Sequence, residues 1–330
     1  MDNRVSVIIP CYNGEGTIDR AICSVYEQDY QNIELIVVDD GSTDNSKEKI
    51  LVWKKKLDSN CRNLIYIYQE NQGPGGAINK GLKYVTGDFL MLLDADDEYL
   101  SGAISEKINY FALHPECNIV RSNGWIVKNG QKYLFVYNEK EKEQTNIFLS
   151  LLRGETNNWA GSYMVRTAPL FKFYPDREIY ASRFGQNLQI ILPVAYNGSC
   201  GFIDKPLMNY IRQENSLSQT SDEQTAKKKA LENAAGFRNI REHMVKQIVC
   251  DKEKQSKYLQ NVKGAYWRGI MQIAAQFKDR SLLLKAKKKL IQYETMQFQD
   301  KVLYYNTLCP PIALLLRVCH KIGRKRCKRY

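Results

Sequence analysis

Four apolar, β-rich runs constrain the fold of this chain more than any other feature: Val5–Ile9, Ile33–Val38, Leu64–Tyr68 and Phe89–Leu93. Between them lie segments with helical spacing. Ile18, Ile22 and Val25 mark one face of a helix expected over Thr17–Glu27. A second helix is expected through Lys47 to Lys56, capped by Asp44 or Ser46. A third is expected from Ala77 to Val85, after a glycine-rich turn at Gly73–Gly76. Alternation of strand and helix over the first ~100 residues predicts an α/β fold with a mostly parallel sheet and right-handed crossovers.

Each run empties into a polar loop. The first is followed by Pro10-Cys11-Tyr12-Asn13-Gly14, the second by Asp39-Asp40-Gly41-Ser42, and the third by Glu70-Asn71-Gln72-Gly73-Pro74-Gly75-Gly76. The fourth ends in Asp94-Ala95-Asp96-Asp97. Ligands of open α/β sheets bind at the strands' carboxyl edge. Carboxylates gathered there repel one another, so a hard divalent cation beside a phosphorylated ligand is the natural occupant. For a sugar carried on a nucleoside diphosphate, Asp40 is placed to accept from base or ribose, and Tyr12 offers a stacking face. Gly73 and Gly75 allow close backbone approach, with the positive end of the following helix behind them. The glycine loop lacks G-x-G-x-x-G spacing and no G-K-[ST] follows, which excludes a dinucleotide fingerprint and a P-loop.

In order and spacing, Ser6–Asn13, Ser24–Gln28, Val37–Ser42, Asn71-Gln72-Gly73 with Ala77 and Asn79, and Leu93–Asp97 resemble the signature of the family 2 glycosyltransferases. The resemblance is dense over residues 4 to 115 and thins toward 220. It implies the GT-A, Rossmann-like fold of nucleotide-diphospho-sugar transferases and an inverting transfer from a nucleotide-sugar donor, a UDP-sugar being favoured. It also implies that Pro10, Tyr12, Asn13 and Asp40 hold the nucleoside, that Asp94 and Asp96 meet ribose, diphosphate and a Mn²⁺ or Mg²⁺ ion, and that Asp97 shares the metal or faces the acceptor.

The chain departs from the family pattern in three places. Ile78 stands where many relatives carry Arg. The family's base comes from a Gly-Glu-Asp stretch, and the matching residues here are Gly185-Gln186-Asn187; an amide is no base at pH 7. Three explanations stay open: another carboxylate serves (Glu178, Asp176 or Asp97), Gln186 and Asn187 bind an acceptor sugar, or transfer activity is lost. The segment Leu207–Ser216 has the shape of the family's closing Tyr-Arg-x-His without its His. Trp159, in the aromatic polar loop Gly154–Tyr163, is either an acceptor platform or a local packing anchor.

Composition sets the organisation. A chain of 330 residues with 44% hydrophobic and 25% charged content supports residues 1–220 as the transferase domain and 221–300 as a helical accessory region. Residues 301–330 are expected to form a basic amphipathic tail: they hold eight Lys or Arg and no acid, out of a net charge of +12. Apolar residues flanked by a polybasic cluster suit an anionic membrane surface, and cations confined to one greasy tail argue against nucleic acid. Nine unpatterned cysteines and an N-terminus without a signal-peptide pattern lead us to expect a cytoplasmic protein, peripheral on the inner face of the plasma membrane. The expected function is metal-dependent sugar transfer to a glycan or lipid-linked acceptor in cell-surface polysaccharide synthesis. The rivals are a catalytically impaired nucleotide-sugar or carbohydrate-binding protein and a sugar-phosphate nucleotidyltransferase, whose G-x-G-T-R-like loop Pro10-Cys11-Tyr12-Asn13 does not supply.

Overall fold

The computed structural model describes residues 3–59, 63–156, 158–212, 222–312 and 314. It divides into two compact units, residues 1–151 with 155–216, and residues 152–154 with 217–330. In the first unit β1 (Val5–Cys11), β2 (Ile33–Asp39), β3 (Asn63–Tyr68) and β4 (Phe89–Leu92) alternate with α1 (Ile18–Tyr26), α2 (Ser46–Ser59) and α3 (Gly73–Leu82). There follow β5 (Glu98–Tyr99), α4 (Ser105–Leu113), β6 (Cys117–Lys128), β7 (Gln131–Leu134), α5 (Glu139–Lys142), α6 (Phe148–Arg153), β8 (Tyr163–Arg166), α7 (Thr167–Phe173), α8 (Gln186–Tyr196) and β9 (Ser199–Arg212).

One sheet runs through the unit in the order β3-β2-β1-β4-β8-β6-β9-β5, with β7 beside β6. The first four strands are parallel, as their unbroken apolar runs require when helices cover both faces. Beyond β4 the sheet is mixed: β8 is antiparallel to β4 and β6, whereas β9 is parallel to β6. The long strands β6 and β9 were hidden in the sequence because their pairing is interrupted. Register shifts flank Asn123, which lies opposite Pro206, and such irregularities are where a strand tolerates a residue with no N–H to give. The core between α1 and the sheet joins Ile18, Ala21, Ile22 and Val25 to Val5, Val7, Ile9, Val37 and Met91, all buried. Full burial of each such side chain contributes roughly 1.5–3 kcal/mol.

The third helix begins at Gly73 rather than Ala77 and stops at Leu82. Pro74 lies in its first turn, where a missing N–H costs nothing. Gly75 sits so close to the segment around Ser182 that a Cβ would come 2.7 Å from the Ser182 carbonyl oxygen. The glycines that read as a turn are therefore the packed first turn of a helix.

In the second unit α9 (Glu223–Ile248), α10 (Lys252–Gln276), α11 (Arg280–Leu290) and α12 (Phe298–Leu308) form a helical cluster. Asp222, Asp251 and Asp279 cap the first three, each accepting backbone N–H bonds of the opening turn. Ile270, Met271, Ala274, Leu283, Ala286, Leu290 and Tyr304 make the core. The expected boundary at residue 300 falls inside α12, because Asp300 closes a capping box there and accepts Arg268 Nε at 3.1 Å while Tyr304 is buried. Residues 315–330 of the expected tail lie outside the described residues, as do Gln213–Ser216 of the closing segment. Among the described residues no helix is long and apolar enough to cross a membrane.

Candidate active site

The four parallel strands deliver their polar loops to one edge. Asp40 N donates to Cys11 O at 2.8 Å on one side of β1, and Leu93 N donates to Ile8 O at 3.0 Å on the other, so Asp40 and Asp94 flank the end of β1. Two strand spacings separate them, about 10 Å. Tyr12 stands between, 54% exposed. In this strand order the chain reverses its direction of winding between β1 and β4, which is the crevice position of α/β sheets.

Hydrogen bonds lace the loops together. Asn13 takes the left-handed conformation (φ 51°). Its Oδ1 accepts from Thr43 N at 2.9 Å, and its N donates to Ser42 Oγ at 3.0 Å. Gly14 N donates to Ser46 Oγ at 2.8 Å, and Ser46, the first residue of α2, in turn donates its N–H and hydroxyl to Asp44 just before the helix. The two neighbouring acids at the end of β2 have different duties. Asp39 is consumed by structure, accepting from Ser42 N and Tyr66 OH, both at 2.9 Å. Asp40 accepts on Oδ1 from Gln69 Nε2 at 2.6 Å and Gln72 N at 2.9 Å, and among the described residues its other oxygen takes no hydrogen bond. The first amide before α3 is thus spent on Asp40, so that helix start and carboxylate act as one unit.

The acidic loop is tighter. Asp97 N donates to Asp94 O at 3.0 Å, which turns the chain back on itself. Asp96 is exposed, Asp94 half-buried and Asp97 fully buried. Burial, then the charge of Asp96, pushes the Asp94 carboxyl well above its ordinary range. Burial and the charges of both neighbours push Asp97 up further, against the pull of the Ile211 amide and Arg20. Asp97 Oδ1 accepts Ile211 N at 2.9 Å, while Oδ2 is buried without a partner.

The other side of the cleft comes from distant parts of the chain. Tyr210 of β9 feels the charges of Asp97, Asp96 and Asp94 and stacks on Trp159 at 5.1 Å, and Phe135 meets Trp159 edge-on at 4.2 Å. Tyr163, buried within reach of the Asp94 charge, donates its hydroxyl to Asn187 Oδ1 at 2.9 Å. Gln186 and Asn187 open α8 behind Gly185 (φ 67°), both half-buried. Trp159 and Asn187 are thereby linked to the acids through Tyr210 and Tyr163, and Gln186 is Asn187's neighbour in the chain. Tyr163, Tyr210, Arg20, and Tyr99, whose hydroxyl donates to Leu92 O at 3.0 Å and which feels the Asp94 charge, are residues the sequence motifs do not single out. Only the shape of the 207–216 segment pointed at Tyr210; nothing local pointed at the others.

Glu178 is not brought to this edge. It pairs with Lys83 Nζ at 2.6 Å, both side chains about half exposed (51% and 55%). Lys83 follows the far end of α3, which is ten residues long and so carries Lys83 about 15 Å from the end at Asp40. Asp176 is exposed in the turn after α7. Gly73 (φ 77°) opens α3 beside Gln72, and Gly75 is covered by Ser182, so packing already accounts for its missing side chain. Of the three histidines, His114 pairs with Glu116 at 3.4 Å and His243 lies on α9; His320 lies outside the described residues.

The acids suit a hard cation. Among the described residues no group of three or more His, Cys, Asp or Glu forms a ready-made metal cage. Ions of the Mg²⁺ type, however, are commonly held by one or two carboxylates together with substrate phosphates. Asp94 and Asp96, with the orphaned buried oxygen of Asp97 behind them, offer such a donor set.

The glycosyl transferase family 2 model matches residues 6–178, more than half of the chain. An uncharacterized glycosyltransferase of Haemophilus influenzae is 40% identical over 106 residues, 32% of this chain and 41% of that protein. A UDP-Glc:α-D-GlcNAc-diphosphoundecaprenol β-1,3-glucosyltransferase of Escherichia coli is 35% identical over 144 residues, 42% of this chain and 55% of that protein. The chain spans about half the length of these curated relatives, or less. Among solved structures, Staphylococcus aureus TarS 1–349 is similar with a TM-score of 0.59 at 17% identity, covering 92% of this chain and 90% of that one. The mannosyltransferase PcManGT from Pyrobaculum calidifontis, in complex with GDP-Man and Mn²⁺, gives a TM-score of 0.53 at 16% identity, covering 96% and 83%. At these identities the likeness carries the fold alone.

Proposed function

Because the chain belongs to glycosyl transferase family 2 and has the GT-A fold, we propose that it moves a sugar, with inversion, from a nucleoside-diphosphate donor to a lipid-linked saccharide. The observation that carries this reading is the row at the parallel edge: Tyr12, flanked by Asp40 on one neighbouring strand and Asp94 and Asp96 on the other. Tyr12 stacks on the donor's base, and the unengaged oxygen of Asp40 accepts from base or ribose. Asp94 and Asp96 would hold a divalent cation together with the diphosphate; such a cation, when bound, offsets the charge that develops on the leaving group. Two named relatives support the acceptor class, the E. coli enzyme above and a Campylobacter jejuni β-1,3-glucosyltransferase acting on a PP-undecaprenol-linked glycan, 38% identical over 104 residues.

On the acceptor side, Trp159 stacked on Tyr210 presents the aromatic face that suits the apolar side of a sugar. Asn187, oriented by Tyr163, and Gln186 supply hydrogen bonds to its hydroxyls. Asn187 holds a hydroxyl without removing its proton, and Glu178, paired at the opposite end of α3, does not reach it. The chain's basic tail, residues 310–330, is assigned to the anionic surface in which the lipid-linked acceptor is embedded; deleting it shifts the protein out of the membrane fraction, and unchanged fractionation would refute that assignment.

The test is to incubate the full chain with UDP-glucose, Mn²⁺ and undecaprenyl-diphosphate-linked GlcNAc, resolve the lipid products by chromatography, and repeat across a panel of UDP- and GDP-sugars. A β-linked disaccharide lipid is expected. The amide at position 187 favours one second reading, a binding protein without turnover. Calorimetric binding of UDP with Mn²⁺ and no product from any donor would establish it.

A further inference from the structure

We infer that Arg20 is a positioning residue that sets the shape of the acidic loop Asp94–Asp97, an inference that rests on the reading of that loop as the diphosphate and cation site. Arg20 stands in the first turn of α1, far in sequence from the loop. Its Nη2 donates to the backbone carbonyl of Asp96 at 2.6 Å. A guanidinium beside an acid would ordinarily seize the carboxylate in a bidentate pair. Here it grips the main chain, so the Asp96 carboxylate stays exposed and available.

The positive charge of Arg20 is itself answered from below. Arg20 Nε lies 3.6 Å from Glu98 Oε2, and Glu98 Oε1 accepts Asn209 Nδ2 at 2.6 Å. Glu98 and Asn209 are also partners in the β5–β9 ladder, and two residues further along β9 the Ile211 amide holds Asp97. Helix α1, strand β5 and strand β9 thus converge beneath the loop and fix residues 96, 97 and 98 from three directions. A loop with three carboxylates in four positions repels itself and spreads unless its backbone is tied. Neutralised by Glu98, Arg20 ties it without repelling an incoming cation as an unpaired arginine would.

The test separates cation binding from nucleotide binding. Mn²⁺ is titrated into the full chain with saturating UDP and followed by loss of the free-ion EPR signal, and UDP affinity is measured by calorimetry without metal. Arg20→Met is expected to weaken Mn²⁺ binding about tenfold, the change that losing one charge-assisted hydrogen bond produces, with metal-free UDP affinity falling by less, about twofold to threefold, because the base and ribose contacts assigned to Tyr12 and Asp40 lie outside the loop. Arg20→Lys keeps the charge with one prong and is expected to lose about threefold. Glu98→Gln still accepts from Asn209 but frees Arg20 from its partner, and is expected to fall between. A folded Arg20→Met chain that binds Mn²⁺ like the unaltered protein overturns the inference. If that variant fails to fold, unchanged Mn²⁺ affinity in both Arg20→Lys and Glu98→Gln does so. An unaltered chain that takes up no Mn²⁺ with UDP instead overturns the diphosphate reading beneath it.

Discussion

On the β1–β2–β4 side of the cleft each candidate side chain sits within a few residues of a strand's carboxyl end; on the β6–β8–β9 side Tyr210 is held in a strand ladder, and Trp159 and Asn187 take partners from distant parts of the chain. Tyr12 and Asp40 follow β1 and β2 directly and Asp94 follows β4 after Leu93, and the parallel ladders with the bonds that extend them bring these residues to one edge. Tyr210 is paired with Ile126 in the β6–β9 ladder, whereas Trp159 meets Tyr210 and Phe135, and Asn187 meets Tyr163, across long stretches of sequence. A side chain set by register is locked with the sheet, whereas one set by a single distant partner is adjustable. The difference suits a site in which one half binds an invariant diphosphate and the other a particular acceptor.

Substitution of the register-set acids is expected to be the most severe. Asp96→Asn should lower kcat/KM for sugar transfer by about a thousandfold, the scale of losing charge stabilisation at a leaving group. The melting temperature should stay level or rise slightly, because one of three crowded carboxylates has been neutralised. Transfer within tenfold of the unaltered chain would place the donor's diphosphate elsewhere.

The opposite half offers a gain. Asn187→Asp keeps the size of the side chain and an oxygen for Tyr163 OH, and adds a group able to take a proton. General-base assistance contributes typically 10²–10⁴-fold, so a rise in kcat of about a hundredfold with little change in donor KM is expected. No rise would mean that residue 187 does not face the attacking hydroxyl.

These two positions also mark what was legible in the sequence. The placement of the proposed donor half was legible, since an apolar run followed by Asp-Ala-Asp-Asp states both the strand and the acids at its end. Two details escaped even there. Gly73–Gly76 hid the first turn of α3, because the tight approach of Ser182 that requires Gly75 is a long-range fact. The engagement of Asp39 by Ser42 N and Tyr66 OH, beside the Asp40 that the sequence already singles out, is likewise a contact no local pattern states. The proposed acceptor half was legible only as isolated residues. Its strands β6 and β9 are broken in register around Asn123 and Pro206, and the Tyr163–Asn187 bond joins two segments with nothing local to connect them.

A graded loss should follow on the acceptor side from Trp159→Ala. Removing the ring deletes the stack on Tyr210 and the edge contact with Phe135 and takes away the proposed sugar platform. We expect acceptor KM to rise about tenfold, in line with the roughly 1.4 kcal/mol that separates tenfold steps in affinity, while donor KM holds. If donor and acceptor KM rise together and the protein melts much earlier, Trp159 serves the packing of the 154–163 loop and not the sugar.

The smallest effect is expected at Glu178, one of the three carboxylates that the sequence offers as a candidate base. Its carboxylate forms an exposed ion pair with Lys83 beyond the end of α3, and exposed pairs contribute about 0–1 kcal/mol. Neighbouring contacts fix that placement: Ile179 N donates to Asn79 Oδ1 at 2.7 Å, and Arg177 Nη1 donates to Val85 O at 2.6 Å, so the segment on both sides of Glu178 is tied to α3 and to the turn that follows it. Glu178→Gln should therefore leave kcat and both KM values within about twofold, with a melting shift of no more than a few degrees. A base acts in the chemical step, so its loss lowers kcat while KM holds. A tenfold fall in kcat at constant KM would restore Glu178 to the chemistry, and it would require residues 177–182 to leave α3 and swing to the carboxyl edge during the reaction.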